Sequence, residues 1–229
     1  MTQSDTYLTT RQRVERYFDR QATQTWARLT SDAPVSGIRA TVRAGRDQMR
    51  NTLLAALPDD LMGWRILDAG CGTGTLAFDL AHRGADVVAV DLSPALINIA
   101  ESRCPEPLRG RIQFASGDLT DPRWGRFDHA IAMDSLIYYD RRDLGQTLST
   151  LGERCGKVAF TVAPRTPLLM LMWRVGQMFP KSQKSPTMVP HSVARLQAQM
   201  HHDEITGQLR EIDRVTSGFY ISTAVEFQP

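Results

Sequence analysis

Four aspartates each end a short apolar run along this chain, and three alternating glycines follow the first of them. The aspartates are Asp68, Asp91, Asp118 and Asp134, and the glycines lie within residues 70–74. A turn through glycines lets backbone N–H groups approach a nucleotide-like ligand, and carboxylates accept hydrogen bonds from its hydroxyl or amino groups. An aspartate after a strand is also a common turn residue, which is the plainer interpretation of any single one. Four at successive strand ends, together with the glycines, favour a ligand site.

The spacing of the glycines indicates which ligand to expect. In a dinucleotide-binding turn the third glycine stands five positions after the first. Here Thr75 occupies that place after Gly70, and the third glycine comes earlier, at Gly74. With Asp68 in front, the segment has the form E/DxGxGxG and resembles motif I of the class I S-adenosylmethionine (SAM) methyltransferases. A GxGxG pattern alone is weak, because glycines also simply form turns. The resemblance implies SAM as the cofactor.

Each of three strand-end carboxylates is expected to bind a different part of the cofactor. Asp91 stands 21 positions after Gly70, where an acidic residue can accept both ribose hydroxyls. Asp118 is placed to receive the adenine amino group while Leu119 packs on the ring. Asp68 is expected to orient the loop and the cationic methionine end. The predicted cofactor-binding residues are Asp68, Gly70, Cys71, Gly72, Gly74, Asp91, Leu92, Asp118, Leu119 and Met133.

Strands that alternate with helices must position these residues. The strands are continuously apolar, which indicates a parallel sheet covered on both faces, with ligands at the carboxyl ends of its strands. The predicted strands are 65–69, 87–90, 112–116, 127–133, 158–162, 211–215 and 219–227, and the predicted helices are 11–57 with a break at 34–37, 75–83, 94–103 and 141–154. The expected fold class is α/β, a Rossmann-like seven-stranded mostly parallel sheet with an antiparallel terminal hairpin, an N-terminal helical arm and a helical cap after strand 5. The predicted domains are an arm or lid at residues 1–60 and a SAM-dependent methyltransferase domain at residues 61–229, with a substrate cap insertion at about 164–190.

Two segments outside the sheet are candidates for meeting a substrate. Residues 11–50 contain nine arginines against four acidic residues, which indicates either a solvated helix face or a lid over an acidic small molecule. Residues 166–180 predict a helix that is apolar on nearly every side. Three interpretations of it stay open: a core helix, a surface for a large flat hydrophobic ligand, and a membrane or partner surface.

Composition argues against several other functions. Lys and Arg number 27 against 25 Asp and Glu, a net charge of +2, so the chain is not a polycation suited to nucleic acid. Enzymes that methylate nucleobase amines usually carry Asn or Asp, two prolines and an aromatic residue after the fourth strand, whereas residues 134–139 read Asp-Ser-Leu-Ile-Tyr-Tyr. The cysteines and histidines lack metal-ligand spacing, so no bound metal is expected. A polar start and the lack of an apolar run of roughly 18 to 20 residues predict a cytoplasmic protein.

Beyond the glycine loop, the chain resembles the magnesium-protoporphyrin IX methyltransferases of chlorophyll and bacteriochlorophyll biosynthesis over nearly its whole length. The matching segments are Tyr17-Phe18 with Trp26, residues 39–50, 67–74, 134–139 and 163–167, the Met178-Phe179-Pro180 turn and Gly218-Phe219-Tyr220. Two positions depart from the family pattern. Tyr138 stands where plant and cyanobacterial members tend to have His, and Thr30 replaces an aromatic residue found in relatives.

This resemblance implies methyl transfer from SAM to a propionate carboxylate of magnesium protoporphyrin IX, giving the monomethyl ester and S-adenosylhomocysteine (SAH). A propionate is already ionised at pH 7, so the site needs no general base, and the catalytic role expected for Tyr138 is a hydroxyl hydrogen bond. Arg43 or Arg46 is expected to hold the propionate that does not react, with ordinary helix-surface arginines as the alternative. The expected substrate-binding residues are Tyr17, Arg43, Arg46, Met170 and Trp173.

The resemblance also implies partners. Besides magnesium protoporphyrin IX, the large magnesium-chelatase subunit and the membrane surface are expected to contact the helix after Thr166, and nucleic acid is not expected. The expected location is the cytoplasm, with peripheral contact at the photosynthetic membrane. Two other functions stay open: SAM-dependent methylation of another small-molecule carboxylate or hydroxyl, and non-catalytic binding of SAM or porphyrin.

Overall fold

In a computed structural model, the chain forms a seven-stranded sheet with the strand order β3-β2-β1-β4-β5-β7-β6. The structure describes residues 3–31, 33–164 and 186–229. The strands are β1 Arg65–Ala69, β2 Asp86–Asp91, β3 Ile112–Ser116, β4 Phe127–Ala132, β5 Cys155–Val162, β6 Gln208–Ser217 and β7 Tyr220–Gln228. Strands β1 to β5 run parallel, whereas β7 is antiparallel to both β5 and β6. The predicted sheet and its terminal hairpin are confirmed.

The central strands are buried on both faces, which explains their unbroken apolar sequence. Along β1, Leu67 packs into the hydrophobic core on one side of the sheet and Ile66 into the core on the other side. Ala130 and Ile131 repeat this alternation on β4. Because neither face is open to water, polar side chains on these strands concentrate near the strand ends.

Helices cover both faces, and several of them begin at capping residues. They are α1 Asp5–Tyr17, α2 Thr23–Leu29, α3 Gly37–Ala55, α4 Thr75–His82, α5 Pro94–Arg103, α6 Arg141–Gly152 and α7 Val193–His202. Ser93 caps α5 by accepting a hydrogen bond from the backbone N–H of Leu96, and Pro94 occupies its first turn. Asp140 caps α6 in the same way, through the backbone N–H of Asp143.

The helices differ from the predicted ones at three places. α1 begins at Asp5 rather than near residue 11, because the side chain of Ser4 caps it by accepting from the backbone N–H of Tyr7. A π-helical turn, Phe18–Ala22, then separates α1 from α2. α7 is not predicted by the sequence pattern, although its Leu196 and Met200 are buried where it packs on α6.

Some expectations fall wholly or partly outside the described residues. The cap insertion at about 164–190 lies mostly there, and the division into two domains stays a prediction. Within residues 3–31, 33–164 and 186–229, no helix has both the length and the apolar character needed to cross a bilayer. In the same ranges, no three His, Cys, Asp or Glu side chains are grouped so that they could hold a metal ion.

One buried histidine makes the stability of this fold depend on pH. His129 on β4 is 4% exposed, and its Nε2 has no hydrogen-bond partner in the described part of the chain. Burial lowers the pKa of His129 from 6.5 to about 4, with Glu226 opposing that effect and Lys157 adding to it. The folded-state pKa therefore lies below the unfolded value. Stability is complete above about pH 6.5 and is lost as the pH falls from there toward 4, by about 3 kcal/mol in all.

We therefore expect His129→Gln, which cannot titrate, to flatten this part of the pH–stability curve. The measurement is urea unfolding at a series of pH values between 7 and 4, compared with wild type and with His82→Gln at an exposed histidine. A His129→Gln protein that loses stability as steeply as wild type over this range would contradict the assignment.

Candidate active site at the carboxyl ends of the strands

A cavity of about 250 Å³ lies at the carboxyl ends of β1, β2 and β4, beneath α1, the π-helical turn, α2 and α3, which we call the arm. Of the predicted site residues, those lining it from the sheet side are Asp68, Gly70, Cys71, Gly72, Asp91, Leu92, Leu119, Met133 and Tyr138, and those from the arm are Arg43 and Arg46. The arm also contributes Val14, Phe18, Trp26, Leu29 and Thr30. The structure thus gathers most of the predicted cofactor residues and two predicted substrate residues around one cavity.

Asp91 at the end of β2 is fixed by the backbone around it. Its Oδ2 accepts a hydrogen bond of 2.9 Å from the N–H of Gly72, and its Oδ1 accepts one of 2.9 Å from the N–H of Ser93. Burial raises the pKa of Asp91 above its usual value, while these N–H groups act in the opposite direction. The carboxylate therefore joins the glycine turn to the start of α5 and faces the cavity in a fixed orientation.

Asp68 at the end of β1 is the least satisfied acid of the site. It is 1% exposed, and its Oδ2 has no hydrogen-bond partner among the described residues. Burial and the neighbouring Asp91 raise the pKa of Asp68 to about 8. A buried carboxyl oxygen that lines a cavity without a donor fits a ligand that brings a donor or a positive charge.

The arm closes directly over the glycine turn. Gly72 has a φ of +56°, and a Cβ there would stand 3.0 Å from Nε1 of Trp26, so the indole lies against bare backbone. The hydroxyl of Thr73 donates to that of Thr30 at 2.7 Å. Arg103 on α5 donates to the carbonyl of Ala27 at 2.9 Å. These contacts make α2 the roof of the turn.

The arm occupies the carboxylate of Asp118 in this structure, and the predicted contact of Asp118 with the adenine amino group stays a prediction. The Tyr7 hydroxyl donates to Oδ1 at 2.8 Å, and Arg11 and Gln3 donate to Oδ2 at 2.9 and 3.1 Å. Burial acts to raise the pKa of Asp118, but hydrogen bonds from the backbone N–H of Thr120 and from the side chains of Arg11, Thr120 and Tyr7 lower it below its usual value. Asp118 anchors α1, while the next residue along, Leu119, is the one that lines the cavity.

Two other predicted site residues, Gly74 and Tyr17, do not line the cavity. Gly74 does not line it, because this glycine is the N-cap of α4 and packs against Phe78. Tyr17 does not line it either; its ring meets the edge of Phe18, 5.1 Å between centroids, and Phe18 forms the wall. Met170 and Trp173 lie outside the described residues.

Arg43 is tied to the arm rather than free for a substrate. Its Nε donates to the carbonyl of Leu29 at 2.9 Å, and its Nη2 donates to the carbonyls of Arg28 and Ala33 at 2.7 and 2.8 Å. The carbonyls of Arg28 and Leu29 belong to the last turn of α2, where backbone acceptors lack helical partners, and that of Ala33 lies in the connection to α3. The side chain holds the α2–α3 connection closed, so of the two arginines predicted to hold a propionate, Arg46 is the one with donors left for a ligand.

Arg46, one turn further along α3, lies inside the cavity wall. Its Nη1 is hydrogen-bonded to Oδ2 of Asp134, and its guanidinium stacks 4.4 Å from the ring centroid of Trp26. Asp134 has a φ of +57°. Its Oδ1 accepts from the hydroxyls of Tyr220 at 2.9 Å and Thr161 at 3.1 Å. Arg46 is therefore held by a buried carboxylate on one edge and an indole on one face.

Tyr138 lies in the cavity wall as a hydrogen-bond donor. Its side chain is buried, with the ring of Phe18 at 6.1 Å between centroids. Burial, and then the charge of Asp134, raise the pKa of Tyr138 well above its ordinary value. The phenol stays protonated at neutral pH, so it can donate a hydrogen bond but cannot act as a base.

Sequence reasoning missed three residues that complete the site. Trp26 appears only among the family-like segments, because no pattern in the sequence around it predicts its position over the glycine turn. Tyr220 also appears only in such a segment, and Thr161 in none, because both act by hydrogen-bonding Asp134 from other strands. Asp134 itself was marked by its position after a strand.

The chain is similar to proteins of one enzyme family along nearly its full length. A family model described as "Magnesium-protoporphyrin IX methyltransferase C-terminus" matches residues 132–229, and one described as "Methyltransferase domain" matches residues 66–155. A magnesium-protoporphyrin O-methyltransferase of Rhodobacter capsulatus is 53% identical, across 97% of this chain and 98% of that protein. The chloroplastic magnesium protoporphyrin IX methyltransferase of Arabidopsis thaliana is 28% identical, across 94% of this chain and 70% of that protein. A crystal structure of magnesium protoporphyrin IX methyltransferase from Synechocystis PCC 6803 with bound SAH has a TM-score of 0.80 at 26% identity, covering 94% of this chain and 97% of that one.

The contacts at Asp118 predict how the arm responds to a single substitution. Arg11→Ala removes a charge-assisted hydrogen bond at 2.9 Å, so we expect amide hydrogen exchange across α1 to speed up about three- to tenfold while exchange in the sheet stays unchanged. Arg13→Ala is the matched control, since Arg13 is exposed on the same helix. Equal exchange rates in both variants and wild type would show that Asp118 does not anchor the arm.

Proposed function

Because the chain belongs to the magnesium-protoporphyrin O-methyltransferase family, we propose that it transfers the methyl group of SAM to a propionate carboxylate of magnesium protoporphyrin IX. The products are the monomethyl ester, an intermediate of bacteriochlorophyll biosynthesis, and SAH. The observation that carries this proposal is the cavity in which two strand-end carboxylates face an arginine of the arm. Such a cavity suits a cationic nucleoside cofactor on one side and an anionic substrate on the other.

The residues of the sheet side fit SAM. Asp91 is already fixed by backbone N–H groups, and its remaining lone pairs can accept hydrogen bonds from ribose hydroxyls. The unpartnered oxygen of Asp68 suits the cationic methionine end, and a nearby positive charge would favour the ionised form of this carboxyl group. When bound, SAM supplies an electrophilic methyl group on a sulfonium.

The chain's own residues then have to align and desolvate the nucleophile. A propionate has an acidity like that of Asp or Glu and is ionised at pH 7, so no residue has to remove a proton. Trp26, Leu29 and Phe18 roof the cavity and exclude water, which otherwise solvates a carboxylate and weakens it as a nucleophile. Tyr138 offers a hydroxyl hydrogen bond for orienting the substrate. Alignment of this kind contributes roughly 7–11 kcal/mol in favourable intramolecular reactions.

A direct assay tests the proposal. Purified protein is incubated with SAM and magnesium protoporphyrin IX, and the products are identified by mass. We expect the porphyrin monomethyl ester and an equal amount of SAH. Formation of neither product would favour the non-catalytic alternative, and SAH formation only with a different carboxylate or hydroxyl acceptor would favour the other methyltransferase.

The partners and location beyond the substrate are also proposed. The protein would work in the cytoplasm and meet the large magnesium-chelatase subunit and the photosynthetic membrane at its periphery. Exposed Ile38 and Phe219 support such contacts, as do the exposed arginines of the arm. The helix expected to make these contacts, after Thr166, lies outside the described residues.

Removal of Asp91 tests the cofactor site. Loss of a charged acceptor of ribose hydroxyls is expected to weaken SAM binding about 10- to 100-fold, measured by calorimetry. The fold should persist, because burial makes the charged form of Asp91 unfavourable in the first place. Asp86→Ala, at the exposed start of the same strand, is the control and should bind SAM as wild type does. Unchanged SAM affinity in Asp91→Ala would refute the assignment.

Removal of Arg46 tests the substrate side. We expect Arg46→Ala to raise the KM for magnesium protoporphyrin about tenfold or more, while the KM for SAM changes less than about threefold. The control is Arg39→Ala on the exposed side of α3. Equal effects on both KM values, or none, would remove Arg46 from the substrate site.

A further inference from the structure

Three elements of the fold converge on the carboxylate of Asp134, which follows β4. Arg46 reaches its Oδ2 from α3, while the hydroxyls of Tyr220 on β7 and Thr161 on β5 donate to its Oδ1. The backbone N–H of Asp134 donates in turn to the Thr161 hydroxyl at 2.7 Å. Both oxygens are thus occupied, and the side chain is only 8% exposed. We call Asp134, Arg46, Tyr220 and Thr161 the Asp134 cluster.

The backbone around this cluster is shaped to bring its members together. Asp134 adopts a φ of +57°, a left-handed conformation that is uncommon for a residue with a side chain. α3 passes so close to Tyr220 that a Cβ on Gly45 would stand 2.7 Å from atoms of that side chain. The next residue, Arg46, then extends past Tyr220 to the carboxylate. A glycine followed by arginine on α3 is therefore what this arrangement requires.

The cluster leaves Arg46 preorganised at the cavity wall. A guanidinium has five N–H donors in one plane. One edge of Arg46 is held by Asp134 and one face by Trp26, 4.4 Å from the ring centroid. A long side chain that would otherwise sample many rotamers is thereby fixed before any ligand arrives. Because the side chain of Arg46 lines the cavity, its remaining N–H donors are available to a ligand there.

The Arg46–Asp134 ion pair is not well explained by a contribution to the stability of the fold. Replacing a buried ion pair by apolar residues is often neutral or stabilising, so a pair at this depth points to a task other than holding the fold together. Its charge balance suits one task in particular. The Arg46–Asp134 pair is neutral overall, so it can hydrogen-bond a carboxylate without the full attraction of a lone buried cation. An arginine without a carboxylate partner would attract either propionate strongly. Bound to the propionate that reacts, it would stabilise the ground state and slow methyl transfer.

Resting on the function proposed above, we propose that Asp134 is a positioning residue, which fixes Arg46 to receive the carboxylate of magnesium protoporphyrin that is not methylated. Tyr220 supports this role by holding Asp134. Binding of one propionate at the Asp134 cluster leaves the other to face the methyl group. Tyr220 remains a neutral donor, because burial and then Asp134 raise its pKa well above the ordinary value.

Two conservative substitutions test the positioning role by kinetics. Asp134→Asn removes the charge but keeps the shape, and Tyr220→Phe removes one hydroxyl but keeps the ring that packs on Gly45. We expect the KM for magnesium protoporphyrin to rise about tenfold in Asp134→Asn and about threefold in Tyr220→Phe, with the KM for SAM within about twofold and kcat within about threefold of wild type. Tyr7→Phe is the matched control, because it also removes a tyrosine hydroxyl from a buried aspartate, at Asp118 outside the cavity.

The control separates positioning from stability. Tyr7→Phe and Tyr220→Phe should lower the melting temperature to a similar extent, but only Tyr220→Phe should raise the porphyrin KM. If both variants raise it equally, or if Asp134→Asn raises the KM for SAM instead, the role of Asp134 is structural or belongs to the cofactor, and the proposal is wrong.

A binding measurement tests the same idea without turnover. Magnesium protoporphyrin monomethyl ester keeps one carboxylate and the dimethyl ester keeps none, so their affinities in the presence of SAH report the contribution of that carboxylate. Wild type should bind the monoester about tenfold more tightly, and Asp134→Asn should reduce this preference to about two- to threefold. An unchanged preference in Asp134→Asn overturns the positioning role, even in a protein that methylates normally. A wild-type protein that makes no ester in the assay refutes the proposed function, while the preference still shows whether the cluster holds a carboxylate.

Discussion

A carboxylate at the buried end of a parallel strand has to find hydrogen-bond donors or a cation, and this requirement organises the ligand side of the molecule. Three of the four strand-end aspartates meet this requirement, each in a different way. Asp91 is held by backbone N–H groups and Asp118 by side chains of α1, whereas Asp134 is held by Arg46 and two hydroxyls. Asp68 keeps one oxygen without a partner in the described part of the chain. Two of these acids therefore anchor the arm, and the other two remain turned toward a ligand.

The arm and the sheet consequently form one site. Of the arginines that give the arm its positive charge, Arg11 and Arg46 pair with strand-end carboxylates, and Arg43 closes the connection between α2 and α3. Arg13 and Arg39 are exposed. The two interpretations of the charge excess, a solvated face and a roof over a ligand, thus describe different arginines of the same helices. Charge alone cannot distinguish them, because the distinction depends on which carboxylates the fold brings near.

The strands could be predicted because burial on both faces requires continuous apolar residues, and the aspartates followed because polar residues are pushed to the strand ends. Contacts distant in sequence escaped prediction. The donors that occupy Asp118 come from residues more than a hundred positions earlier, so its carboxylate looked available for a ligand. The contacts of Arg43 could not be predicted for a similar reason, since nothing in the local sequence shows that backbone carbonyls near Leu29 will accept its hydrogen bonds.

The first and last described residues, Gln3 and Pro229, lie at opposite ends of the parallel strands. Gln3 touches Asp118 and Thr120 after β3, whereas Pro229 lies near Gly152, beside the start of β5. A peptide fused after Pro229 would thus emerge at the amino ends of the parallel strands, away from the ligand cavity at their carboxyl ends. Attachment of a dye or an immobilising surface through the carboxyl terminus therefore leaves the approach to the cavity unobstructed.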